Sequence, residues 1–281
     1  MSLVRRAAAG CLGVAAAASV ALGAARRSAR GVPLSPLHGD EHVGPTWPDR
    51  RNLRGERVAG EMDSLAAYAR PGFDPDAVHP AVQALYERTA DFEMRLSATW
   101  HRPFRTGAAV ASRWTSRIEQ LSLPGPGDDP KRVTSDLFAL AGPAATADPR
   151  DDPRLWVRTD DAGAGVFVAI YASHVTNGER VVNIAVPLPG VNLSTVLRMS
   201  HHGEGVELTT DGPDGGLYLH TDAGAFRLPA SQLFRVAPAE DPEAPEPPGG
   251  GPTREAAVRA EQRIRLFGLP LVTVRYAAAR R

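Results

Sequence analysis

Cysteine is nearly absent: Cys11 stands alone in 281 residues, so no intrachain disulfide forms and no thiolate set can hold a metal. The folded part has only its core to hold it together. Lysine is just as scarce, Lys131 being the single one among 32 basic residues, which beside so much Ala, Arg, Gly and Pro points to a GC-rich genome and not to a mechanism. Nucleotide and acyl-transfer signatures are missing too. Ser194, Ser200 and Ser231 lie in no G-x-S-x-G elbow, and Gly163 and Gly165 precede a strand pattern instead of opening a helix. No catalytic residue and no cofactor can be assigned from such motifs. A net positive charge is also lacking: 32 basic groups balance 32 acidic ones, and without the five N-terminal arginines 27 remain against 32. That excess of acid excludes a general nucleic-acid binder.

What is present begins with the N terminus. The first thirty residues carry five arginines, no carboxylate and one uncharged run over residues 7–25. As a helix these nineteen residues span roughly 28 Å, against about 30 Å for a bilayer's hydrocarbon core. Alanines dominate the run, and Gly10, Gly13, Ser19 and Gly23 dilute its hydrophobicity. Residues 1–30 are therefore read as a membrane anchor or a cleavable signal, placing the protein at the cell membrane or secreted. Cys11 lies at the start of the run, which excludes a lipoprotein signal.

Residues 31–57 are rich in Pro, Gly and Arg and predict a flexible tether. Within them His38, Glu41 and His42 fit the H-x-x-E-H pattern of inverted zinc peptidases. That chemistry needs a helix, and Pro33, Pro36, Gly39, Gly44, Pro45 and Pro48 oppose one.

Residues 58–281 are expected to form one α+β domain, with helices in residues 58–123 and a β-rich part over 154–281. Val82, Leu85, Thr89, Phe92 and Leu96 step by three and four, predicting a helix over residues 80–96. A second helix follows Pro103 and ends at the Pro124-Gly125-Pro126-Gly127 run, and a shorter one is expected over 61–69. Trp100, Phe104 and Trp114, with the arginines between Arg102 and Arg117, could rest at a membrane interface, or the helix could pack on the core with its arginines solvated.

After Pro153 the period changes to two. Short β-branched and aliphatic runs alternate with turn signals such as Asn177-Gly178 and Pro189-Gly190, predicting an antiparallel meander closed into a barrel or sandwich. In a simple meander alternate turns share an end, which would gather His174, His201, His202 and His220. Four imidazoles with nearby carboxylates could ligate zinc or iron, or serve as general acid and base; ordinary exposed turn histidines are the plainer reading.

His79-Pro80, Tyr86-Glu87-Arg88-Thr89, Gln120-Leu121, Val186-Pro187-Leu188-Pro189 and Leu266-Phe267-Gly268 resemble blocks of uncharacterised proteins of high-GC actinobacteria, over roughly residues 73–277. The resemblance brings no activity, cofactor or functional residue.

Together these features predict N-terminal helices packed on an antiparallel β-barrel or β-sandwich. The expected function is a non-catalytic module at the membrane, binding a lipid, another apolar ligand or a membrane-protein partner. The alternative is a hydrolase using the histidine cluster through a metal or as general base.

Overall fold

A computed structural model describes residues 21–250 and 255–281. Thirteen strands run β1 (Arg54–Arg57), β2 (Phe92–Trp100), β3 (Lys131–Leu140), β4 (Asp151–Asp160), β5 (Gly165–Thr176), β6 (Glu179–Leu188), β7 (Val191–His202), β8 (Gly205–Thr209), β9 (Gly216–Thr221), β10 (Gly224–Arg227), β11 (Ala230–Pro238), β12 (Val258–Leu266) and β13 (Leu269–Arg280). All the pairings between them are antiparallel. Ten close a barrel in the order β7-β6-β5-β4-β3-β2-β13-β12-β11-β8, and the pairing of β8 with β7 joins its two edges.

The expectation of N-terminal helices packed on a sheet is overturned: the molecule is a closed barrel with few short helices. After residue 30 the helices among the described residues are α1 (Trp47–Arg50), α2 (Pro80–Glu87), α3 (Arg105–Arg117) and α4 (Gly142–Ala147), with short 3-10 turns besides. The helix expected over 80–96 stops at Glu87, and β2 follows from Phe92. Phe92 and Leu96 are four apart, a spacing that both periods allow. Met94 decides between them, because it is buried with Phe92 and Leu96 on the inner face of a strand.

Two-residue turns make the hairpins tight. Asn177 and Gly178 both have positive φ, 50° and 79°, the conformation that matches the twist of the strands they join. Alternation then sends one set of side chains inward. On β4 Arg154, Trp156 and Arg158 face the interior, while Leu155 and Val157 face out.

Those outward apolar residues are covered by the chain before β1. Val43, Trp47 and Leu53 pack on Phe138, Leu155, Val157 and Ile170. The Pro33 and Leu37 carbonyls accept from the amides of Asn183 and Asn192 at 2.6 and 2.7 Å. Ser35 Oγ donates to Asp148, which forms a fully buried pair with Arg150 at 2.8 Å. Where a tether was expected, residues 33–53 are thus a strap on the barrel wall. The apolar run of residues 7–25 lies outside the described residues up to position 20, and residues 21–28 are helical. Among the described residues no helix is long and apolar enough to cross a membrane.

One end of the barrel is plugged by residues 58–91. Glu61 N–H donates to Tyr86 O at 2.8 Å, and His79 N–H to Glu204 O at 2.7 Å in the β7–β8 turn. Residues 118–124 cross the other end, where Ser122 N–H donates to Val166 O and Trp100 Nε1 to Pro124 O.

Candidate functional site

A barrel of about eight strands has an interior just wide enough for its own side chains, and width grows with strand number. Here ten strands leave a cavity of about 180 Å³. It runs from Glu61, Leu85 and Tyr86 in the plug to Leu121 and Leu123 across the opposite end. Between them the wall is mostly apolar, with Leu197, Leu208, Phe234, Val258 and Ile264 among its residues.

Within that wall sits a guanidinium. The register puts Arg158 beside Ser135 on β3 and Phe167 on β5, on the inner face. Its Cζ lies 4.0 Å over the Trp156 ring and 5.8 Å from that of Tyr276. Nη2 points at Met94 Sδ, 3.1 Å away, and Nε has no hydrogen-bond partner among the described residues. Arg158 is 9% exposed and forms no ion pair within 4.0 Å among those residues. Burial lowers its pKa, partly offset by the Tyr276 hydroxyl and by Glu61. Tyr276 itself donates to Gln262 Oε1 at 3.0 Å.

Glu61 is the carboxyl at the plugged end of the cavity. Burial pushes its pKa up to about 8, against the lowering influence of Arg158 and of the Thr89 hydroxyl. At neutral pH it is mostly the neutral acid and leaves the Arg158 charge largely uncompensated. Tyr86 and Tyr171 stand near it, each with its hydroxyl unpartnered among the described residues and its pKa raised well above the usual value, chiefly by burial. Trp156 Nε1, on another residue of the cavity, is a further donor without a partner among the described residues. The site is thus an apolar chamber with an excess of hydrogen-bond donors and one unneutralised cation. Nothing in the sequence patterns pointed to Glu61 or Arg158. The available signal was Trp156 and Arg158 two apart on a strand, which puts both on one face.

The sequence-predicted histidines lie on different elements. His174 faces out from β5, buried, with Nε2 3.5 Å from Asp214 and Nδ1 3.2 Å from the Asn183 amide; burial holds its pKa below the usual value, and Asp214 works against that. His201 accepts from the Asp74 N–H at 3.0 Å and packs on Phe73. His202 is half-buried at the end of β7. His220 is at the other end, its Nδ1 3.0 Å from Ser35 O and its ring 5.4 Å from that of His38. The reason is the path of the chain: β8 and β9 are collinear along β7, pairing with its second and first halves, so the β9–β10 turn falls opposite the β7–β8 turn. Among the described residues no three His, Cys, Asp or Glu side chains form a group able to hold a metal. His38 and His42 of the H-x-x-E-H match lie outside any helix and face different partners, Asp222 and Glu119.

Of the interface candidates, Trp100 belongs to β2 and is half-buried, Phe104 caps the start of α3, and Trp114 is 50% exposed on α3. Val110, one turn before Trp114, is exposed as well. His101 N–H, just after β2, donates to Leu271 O, and this ties the approach to α3 to the β12–β13 hairpin. That hairpin carries the exposed Phe267 and Leu269. The four exposed apolar residues flank the end of the barrel opposite the plug.

No family model matches the chain. It is similar to the uncharacterized membrane protein YndJ of Bacillus subtilis (strain 168), 28% identical over 252 residues, which cover 87% of this chain and 42% of that protein. The chain thus spans less than half the length of this relative. No solved structure matches.

Proposed function

We propose that this protein is a non-catalytic binding module whose barrel holds a small apolar ligand and whose α3 end faces a membrane. The carrying observation is the cavity itself, lying inside the barrel and lined chiefly by apolar side chains. A void of this size forfeits packing that a ligand restores. The membrane orientation rests on Val110, Trp114, Phe267 and Leu269, with the exposed arginines Arg102, Arg105, Arg113 and Arg117 suited to anionic headgroups. The similarity to a membrane protein and the apolar N-terminal run agree with that orientation.

Calorimetric titration with naphthalene tests the reading, since an apolar cavity of about 150 Å³ accepts benzene. One saturable site with a negative heat-capacity change is expected, abolished by Ala260→Phe, which fills the lumen from β12. A wild-type protein with no saturable site contradicts it.

A further inference from the structure

Arg158 is the unexplained group of the barrel. A buried cation without a carboxylate partner is costly, and a fold that needed only packing would be served by methionine or leucine at this position. The neighbouring groups do not discharge that cost. Met94 Sδ is a weak acceptor, the Trp156 ring offers a π-face, and Tyr276, whose hydroxyl donates to Gln262, turns only a neutral oxygen to the cation. On residues lining the same chamber, the Trp156 indole N–H and the Tyr86 and Tyr171 hydroxyls have no hydrogen-bond partner among the described residues. A guanidinium in this chamber with no carboxylate within 4.0 Å among the described residues marks a place for a negatively charged acceptor.

We infer that the cavity takes an anionic amphiphile of about ten non-hydrogen atoms, its acidic head group against the Arg158 guanidinium and its hydrocarbon part among Leu197, Leu208, Phe234 and Ile264. This rests on the apolar-ligand reading above and adds the head group to it. The guanidinium fork matches a carboxylate or a phosphate in two parallel hydrogen bonds. Stacking on Trp156 fixes the plane of the fork. The cavity is about a fifth larger than one that binds benzene, which limits the ligand to a single short chain.

The test compares octanoate with 1-octanol, and then with octyl phosphate, on the full chain freed of endogenous ligand. Wild type is expected to bind octanoate at least about tenfold tighter than 1-octanol, and Arg158→Met to lose that preference while binding 1-octanol within about threefold of wild type. Equal affinity for the acid and the alcohol in wild type, or an unchanged preference in Arg158→Met, overturns the inference and leaves the apolar-ligand reading standing. A wild type that binds none of the three overturns both. If Arg158→Met does not fold, Arg158→Gln replaces it, and the wild-type ratio decides on its own. Tighter binding of octyl phosphate than of octanoate identifies the head group as a phosphate, and the reverse identifies it as a carboxylate.

Discussion

Arg158 and Trp156, two residues apart on β4, stack inside the barrel with the guanidinium carbon 4.0 Å from the ring centre. On most strands an arginine next to apolar neighbours marks the solvent face. Here the strap formed by residues 33–53 covers the outside, so Leu155 and Val157 are satisfied there and the arginine is inside.

The unpaired charge has a consequence for stability. Without ligand, Arg158→Met is expected to leave the protein as stable as wild type or more so by about 1–4 kcal/mol, because a buried charge is replaced by an apolar chain of similar length. Urea unfolding measures this. A loss of several kcal/mol would make Arg158 a structural residue.

Glu61 gives the stability a pH dependence of definite sign. Its pKa is about 8 when folded and about 4.5 when unfolded, so the native state binds more protons between these values. Its contribution is fully present below pH 4.5 and is lost as pH rises through 8, a span worth on the order of 5 kcal/mol. Glu61→Gln should remove this part of the slope and be the more stable form above pH 8. Parallel unfolding curves of the two proteins from pH 5 to 9 would show no such residue-specific effect.

The plug depends on a close backbone approach. A Cβ on Gly60 would lie 2.3 Å from the Glu87 carbonyl carbon and 2.4 Å from Tyr86 O. Gly60→Ala is expected to cost more than about 2 kcal/mol and to displace Glu61 from Tyr86. In contrast Gly163→Ala, where a Cβ meets nothing but φ is +79°, should cost about 1 kcal/mol. Thermal unfolding of the two variants ranks them.

The strap is pinned by the Asp148–Arg150 pair, both side chains fully buried, with Ser35 donating to the same carboxylate. Asp148→Ala leaves the guanidinium buried without its anion, and a loss of about 3–5 kcal/mol is expected. Limited proteolysis should then cut within residues 33–53 sooner than in wild type.

The exposed residues at the α3 end predict vesicle binding. Cosedimentation with vesicles rich in anionic lipid should fall at least about fivefold in the double variant Trp114→Ser and Phe267→Ser, and salt should weaken it in wild type. Unchanged cosedimentation contradicts the assigned orientation.

Much of the barrel was legible. The strands β4 to β11 stand where period-two runs and turn pairs such as Asn177-Gly178 put them. β3 was not legible, because Val133 and Leu137 face the lumen while Phe138 and Leu140 face the strap, and burial on both faces erases the alternation. The α+β expectation failed where Phe92 and Leu96 suit either period. The histidine cluster depended on counting β8 and β9 as separate arms, and their collinearity along β7 is a tertiary fact. The site was the least visible part. Glu61 precedes the barrel strands in sequence, and its burial beside the lumen follows from how the plug docks.

The most direct measurement is the native mass of the full chain, purified gently from its own or a related host, beside that of Ala260→Phe. A second species is expected in wild type, heavier by one small anionic amphiphile and lost on mild activation, and a bare polypeptide in the filled-cavity variant. A bare wild-type mass, or an adduct equally abundant in both proteins, would contradict it.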